Sequence, residues 1–265
     1  LLGKLAEHNI TTVILSSRRS KQVAVISSIK HNDASIRIKQ YQFFLSETRR
    51  LYAIKRLIRA KLIRQLRFIK QLEKSHPKDR KLFFSSAQVI RALIKKTTQT
   101  DNKESLMGIE GAAAKQYFQC YTKVFKKSWN FSNRNKRPPE DPVNSVLSFT
   151  YTLLHSRCTQ ALNSVGLDPM IGFMHELDYG RDSLSSDIME PLRPYMDDFV
   201  WRLFKHNIFL PGHFDYFNKG GKEACYLNKK GRRVFYPEFE IMIKAKQKLL
   251  NQMARSMVNY LKEQP

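Results

Sequence analysis

From Ala34 to about Ser75 the chain runs without a proline or a glycine. That absence limits the fold more tightly than any other feature, because a segment with no breaker continues as regular structure until its pattern changes. Leu51, Ile54, Leu57, Ile58, Leu62, Ile63, Leu66, Ile69 and Leu72 recur there at helical spacing. Arg49, Arg50, Lys55, Arg56, Arg59, Lys61, Arg64, Arg67 and Lys70 are assigned to the other faces. The spacing predicts one long amphipathic helix, or two with a bend, with Asn32 or Asp33 as its cap. A solvated face explains most charge runs, but few acidic partners offset this one, so a surface that tracks phosphates fits equally well.

The imbalance extends to the whole chain. Lys plus Arg is 47 against 23 for Asp plus Glu, a formal net charge of +24 over 265 residues. So basic a protein points to a polyanion, since Lys and Arg that neutralise phosphates release condensed counterions. A membrane surface is a weaker partner, as no lipidation motif or basic helix with an exposed aromatic face stands out. No apolar run approaches the roughly 18 residues of a transmembrane helix, and the first residues do not read as a signal peptide. Cys120, Cys158 and Cys225 form no CxxC pair, which argues against a disulfide framework or zinc ribbon and fits a reducing cytoplasm.

Outside the long helical stretch, Thr11–Leu15 and "VAVIS" read as short β-branched strands. Two such strands do not make a stable sheet alone, so residues 1–28 are expected to be the last part of an N-terminal β-domain. Residues 29–33 read as a linker and 34–265 as one helical domain. Helices are expected over about 82–98, 106–126, 144–165 and 197–209. A small hairpin turning at Gly231 is expected next, then a final helix starting at Pro237. The fold class predicted is α+β, mostly α.

Two segments carry candidate chemistry. In "GFMHELDYGRDSLSSDIMEPLRP" (172–194) five carboxylates and a histidine make an acidic island in a basic chain. Ser183 or Ser185 can cap a helix that sets Asp187 and Glu190 on one face at i, i+3 spacing. Two like charges about 4 Å apart repel by roughly 4 kcal/mol at an effective dielectric near 20, a penalty that a bound cation removes. His175 lies just upstream, where a turn can bring its ring over the same face. A wet helix with a core histidine is the competing explanation. In "GIEGAAAKQYF" (108–118), Glu110 lies between two glycines at the expected start of a helix. There a carboxylate complements the helix dipole, and small neighbours admit a close approach.

Taken together with "RPPEDPVNSVLSFTYTLLHSRCTQALNSVGLDPMIGFMH" and "CYLNKKGRRVFYPEFE", these segments resemble the CRISPR adaptation integrase family over essentially the whole chain. The resemblance implies an N-terminal β-domain, truncated here, and a helical catalytic domain. It implies metal ligands at Glu110, His175 and Glu190, which are also the catalytic residues, with Asp187 as a supporting acid. Asn144, Arg181 and Ser183 match motif positions beside the site. Lys115 stands where the family often has arginine, keeping charge but losing the planar fork. DNA contacts are expected from Lys115, Arg134, Arg137, Arg193, Arg59 and Arg64. Tyr117, Phe118 and Trp129 are assigned to core packing ahead of base stacking.

Two carboxylates and an imidazole suit Mg2+ or Mn2+ better than zinc. The reaction implied is attack of a 3′-hydroxyl of a captured DNA fragment on a phosphodiester of the CRISPR leader–repeat, or cleavage when water attacks. The partners implied are DNA, a second copy of the chain, and the small ferredoxin-like subunit of the integration complex. A fused or associated reverse transcriptase, known in some family members, is a further expected partner. Two alternatives stay open on the residues: a repair or recombination nuclease with the same metal site, and a non-enzymatic basic scaffold for nucleic acid.

Overall fold

The computed structural model describes residues 1–8, 12–15, 22–26, 33–135, 138–219 and 221–263. The breaker-free stretch forms two helices, α2 (Ala34–Leu45) and α3 (Glu47–Ser75); α1 (Leu2–Glu7) and strands β1 (Thr12–Leu15) and β2 (Gln22–Ile26) precede them. Asp33 caps α2, its carboxylate accepting from the Ser35 amide at 2.9 Å. Ser46 turns extended (ψ 108°) and ends α2, while its carbonyl accepts the Arg50 amide and opens α3. Then follow α4 (Arg80–Lys96), α5 (Lys103–Thr122), α6 (Pro142–Ser164), α7 (Ser183–Met189) and α8 (Arg193–Lys205). Strands β3 (Phe214–Lys219) and β4 (Lys222–Leu227) and the final helix α9 (Lys229–Glu263) complete the order. The architecture is α+β and mostly α, with two separate two-stranded antiparallel sheets among the described residues. No described helix is long and apolar enough to cross a membrane. All three cysteines are buried.

The chain divides into two units. Unit 1 comprises Leu1–Ala53, Tyr151–Met189 and Ile243–Pro265, and unit 2 comprises Ile54–Thr150 and Glu190–Met242. Most of the expected linker, residues 29–32, lies outside the described residues.

In unit 1, β1 and β2 pair around Val13↔Val25, and the interior forms where α2 meets the loop before His175. Gln40 is fully buried; its amide nitrogen donates to the Asp168 and Ile171 carbonyls (2.9 and 3.0 Å), and its oxygen accepts the Asp168 amide at 2.8 Å. A buried amide satisfied on both ends ties two segments together in one register. Phe43 meets Phe173 edge-on at 5.0 Å and Tyr260 at 5.7 Å, closing the same corner with rings.

In unit 2 the core is aromatic. Phe68 of α3 lies 6.2, 6.1 and 6.1 Å from Tyr117, Tyr121 and Trp201. The Tyr117 hydroxyl donates to the Asp197 carboxylate and that of Tyr121 to the Asp197 carbonyl, both at 2.8 Å. These bonds fix α5 against α8. Burying each large side chain is worth roughly 2–3 kcal/mol, so Tyr117 and Trp129, both buried, are core residues as expected.

Three local expectations are corrected. The hairpin spans 214–227, not the turn at Gly231, and pairs Tyr216 with Cys225 across it. Gly231 lies in the first turn of α9, where a Cβ would come within 2.5 Å of Leu227 Cδ1 and 2.6 Å of the His213 carbonyl oxygen. The final helix starts at Lys229 with Pro237 inside it. Its cap is Asn228, whose side chain accepts the Gly231 amide at 3.1 Å; a cap three residues before a glycine outweighed the usual reading of proline as a helix start.

Candidate metal-binding site

Position 61 is where the structure departs most from the periodicity reading. On α3 the buried side chains include Ile54, Ile58, Lys61, Gln65, Phe68 and Leu72. These recur every three or four residues, so Lys61 occupies the inward stripe rather than the basic outer face. Its ammonium, 7% exposed, donates to the Glu190 carboxylate at 2.6 Å and also to Glu110. Burial alone would lower its pKa; Glu190 first and Glu110 second outweigh this and hold it above the ordinary lysine value. Arg193 adds a second cation, its Nε 2.9 Å from the other Glu190 oxygen. Two remote carboxylates of unit 2 therefore converge on one cationic point.

Glu110 arrives there from the middle of α5. Asn102 caps that helix by accepting the Ser105 amide at 2.8 Å, so Glu110 stands two turns in rather than at the helix start. The helix dipole therefore does not explain this carboxylate, because its influence fades beyond the first turn. Glycines inside a helix cost about 1 kcal/mol each against alanine. A Cβ on Gly108 or Gly111 would meet nothing within 4 Å among the described residues, so packing in this chain does not account for either.

In unit 1 His175 is held by Asp187. That carboxylate is fully buried and accepts the backbone amides of Phe173, Met174 and His175 at 2.5, 2.9 and 3.0 Å. It also receives His175 Nδ1 at 2.6 Å. With Nδ1 engaged by Asp187, Nε2 is the ring nitrogen outside this clamp. The loop closes tightly around this clamp: a Cβ on Gly172 would come within 2.6 Å of the Ser183 carbonyl carbon. Ser183, buried, donates its hydroxyl to the Glu176 carbonyl at 2.8 Å. Asp182, not Ser183 or Ser185, precedes α7 and accepts the Ser186 amide. The α-helix stops at Met189, and Glu190–Leu192 forms a 3-10 turn containing Pro191.

The other expected residues fall in several settings. Asn144 is buried and organises the approach to α6, donating to Asp141 (2.6 Å) and the Asn133 carbonyl (2.8 Å) and accepting from Arg134 (2.7 Å). Burial pushes the Asp141 carboxyl up. Arg134 also reaches Ser148 at 3.2 Å. Arg64 is half-buried, donates to the Pro191 carbonyl at 2.8 Å, and has Tyr195 under its guanidinium at 5.3 Å. Arg59, Lys115 and Arg181 are exposed. Arg137 lies outside the described residues.

The structure thus yields two pairs, Glu110 with Glu190 through Lys61, and His175 with Asp187. Among the described residues, no three His, Cys, Asp or Glu side chains are gathered where they would hold an ion. The donor chemistry nevertheless suits a hard divalent cation. Both glutamates already share a cation, and the clamp on Nδ1 leaves Nε2 as the ring atom that could serve as a ligand.

A mostly helical, strongly basic protein with carboxylates converging on a buried cation belongs among proteins that work on nucleic acid. The chain belongs to the CRISPR associated protein Cas1 family, whose profile matches residues 1–241. A relative named CRISPR-associated endonuclease Cas1 1, from Thermodesulfovibrio yellowstonii, is 38% identical over 244 residues, covering 91% of this chain and 74% of the relative. Among solved structures, a casposase bound to integration product is similar with a TM-score of 0.86 at 24% identity, over 98% of this chain and 74% of that one. A chain in a Cas6-RT-Cas1–Cas2 complex is similar with a TM-score of 0.80 at 24% identity, over 98% of this chain and 29% of that one.

Proposed function

We propose that this Cas1-family chain is a DNA integrase and endonuclease of CRISPR spacer acquisition, with Mg2+ or Mn2+ held by Glu110, His175 and Glu190. The observation that carries the metal reading is the meeting of Glu110 and Glu190 on one buried cation, in a chain whose charge fits it for DNA. Family membership and the endonuclease name of the 38% identical relative support the activity. The histidine belongs to the same reading through its neighbour: Asp187, which fixes the ring, lies three residues before Glu190 in the chain. Bound there, the metal would neutralise charge on the phosphodiester and ease deprotonation of an attacking hydroxyl.

The chain's own residues have distinct tasks. Glu110 and Glu190 offer hard oxygen donors, and His175 one nitrogen. Asp187 holds Nδ1 and keeps the ring oriented. Arg193 stays on the outer oxygen of Glu190 and limits how that carboxylate turns. Gly108 and Gly111 flank Glu110 with no side chain, which lets a DNA backbone approach the carboxylate closely. Exposed Arg59 and Lys115 supply charge for phosphates, while Arg64 and Arg134 act first as structural ties that also leave charge in the region. When the attacking hydroxyl belongs to a DNA 3′-end the product is a joined strand; with water it is a cut.

The expected partners are DNA, a second copy of the chain and the small Cas2-type subunit. A similar fold in an assembly titled Cas6-RT-Cas1–Cas2 supports the last, and an association with reverse transcriptase. The cell compartment expected is the prokaryotic cytoplasm.

The test is strand transfer of a short duplex into a plasmid bearing a leader–repeat, with DNA binding measured alongside. Glu110→Ala, His175→Ala and Glu190→Ala are each expected to lower joining and cutting by on the order of 1,000-fold or more, with DNA affinity within a few-fold of wild type. Full activity in any one of them overturns the metal assignment for that residue.

A further inference from the structure

Lys61 is buried between two acids that a metal is expected to share, on a helix whose other cations are exposed or half-buried. An ammonium there neutralises the carboxylates while no metal is bound, and its four-carbon stem lets the charge withdraw without moving the helix. Arg193 differs, since it takes the other oxygen of Glu190 and does not sit between the two acids. We infer that Lys61 is a built-in stand-in for the divalent ion: its ammonium occupies the point between Glu110 and Glu190, and metal loads by exchange with it. This rests on the metal reading above and adds a regulatory consequence to it. The site remains assembled without metal, and Lys61 sets the concentration at which metal enters.

The physical balance favours exchange over simple addition. Without Lys61 the buried Glu190 and half-buried Glu110 would keep only Arg193 nearby, and removing one partner from a buried ion pair is heavily destabilising. A lysine in place avoids that state. A divalent ion brings twice the charge to hard oxygen donors and so displaces a monovalent ammonium, but the net gain is reduced by the contacts given up. Gln65, one turn further along the same buried stripe, has a side-chain oxygen with no hydrogen-bond partner among the described residues. The withdrawing ammonium would find an acceptor there.

The experiment uses the purified full chain with Mn2+ alone as the probe. Binding is followed by calorimetry and by the Mn2+ resonance signal, and thermal unfolding is followed in EDTA and in Mn2+. Lys61→Met removes the charge and keeps the apolar stem. It is expected to bind Mn2+ on the order of tenfold more tightly than wild type, to unfold at lower temperature in EDTA, and to gain more from added Mn2+. Equal or weaker Mn2+ binding in Lys61→Met overturns the exchange. If Glu110→Gln and Glu190→Gln still weaken binding in the wild-type background, the metal site itself stands. Mn2+ binding that depends on neither glutamate removes both the metal reading and the exchange. If Lys61→Met does not fold, Lys61→Arg carries the test: its guanidinium fork grips both carboxylates harder, and Mn2+ affinity is expected to fall several-fold. Unchanged affinity in Lys61→Arg overturns the proposal.

Discussion

The histidine of unit 1 and the glutamates of unit 2 are held by opposite means. His175 is fixed by a short-range device: one buried carboxylate collects three consecutive backbone amides and the ring of the same segment, all within fifteen residues. Glu110 and Glu190 are placed by long-range packing of α3, α5 and α8, and they meet through Lys61. The first arrangement is rigid because backbone amides cannot rotate away. The second is adjustable, because its contacts are ends of flexible side chains. Of the three proposed ligands, His175 is therefore set in advance, while Glu110 and Glu190 can shift.

The contrast is broken most directly at Asp187. Asp187→Ala leaves three amides and a histidine ring without their acceptor, and each buried donor left unpaired costs about 1–3 kcal/mol. A total loss of about 3 kcal/mol or more is expected in urea unfolding, together with loss of activity. A loss below about 1 kcal/mol would mean that the loop is held elsewhere, by Gln40 and Phe43, and that the carboxylate does not set it.

A smaller effect is expected at the glycines, and it separates the two regions by sign. Gly172→Ala pushes a methyl into backbone atoms at 2.6 and 2.8 Å, which cannot swing aside. Overpacking of this kind costs about 1–3 kcal/mol. Gly111→Ala meets open space, so the better helix former is expected to stabilise by up to about 1 kcal/mol. If Gly111→Ala also lowers strand transfer without weakening the fold, the open surface beside Glu110 is where substrate approaches. Thermal unfolding of the two variants side by side checks the signs.

The two regions also differed in how far the sequence disclosed them. The acidic island singled out His175 and Asp187 but not the clamp between them: Asp187 reads there as a partner of Glu190 on one helix face, whereas its carboxylate turns to the His175 ring and three backbone amides. The breaker-free stretch announced α2 and α3, and the bend fell at Ser46. Lys61 was assigned to the wrong face because its charge was read before its position; the series Ile54, Ile58, Lys61, Gln65, Phe68, Leu72 marks the inward stripe once charge is ignored. Glu110 reads as a first-turn residue in the sequence, whereas Asn102 supplies the cap and puts it two turns in. Asn144, expected beside the site, ties the loop ahead of α6, a role with no signature in the sequence. Long-range partners such as Tyr117 with Asp197 have no local signature, so the packing that aims Glu110 could be known only from coordinates.

The smallest effects test the adjustable half. Glu190 is 6% exposed and serves two cations, Lys61 and Arg193, whereas Glu110 is 20% exposed and serves Lys61. Replacing either by glutamine keeps shape and removes one charge, and Lys61 retains the other acid in both cases. Glu190→Gln is therefore expected to cost about 1–2 kcal/mol, and Glu110→Gln under about 1 kcal/mol, since water reaches the second more readily and softens the loss. Chemical denaturation in EDTA resolves this order. The reverse order would mean that Arg193 alone is enough to hold Glu190, and that Lys61 answers chiefly to Glu110. In that case α5 rather than the turn at Glu190 would set the position of the buried cation.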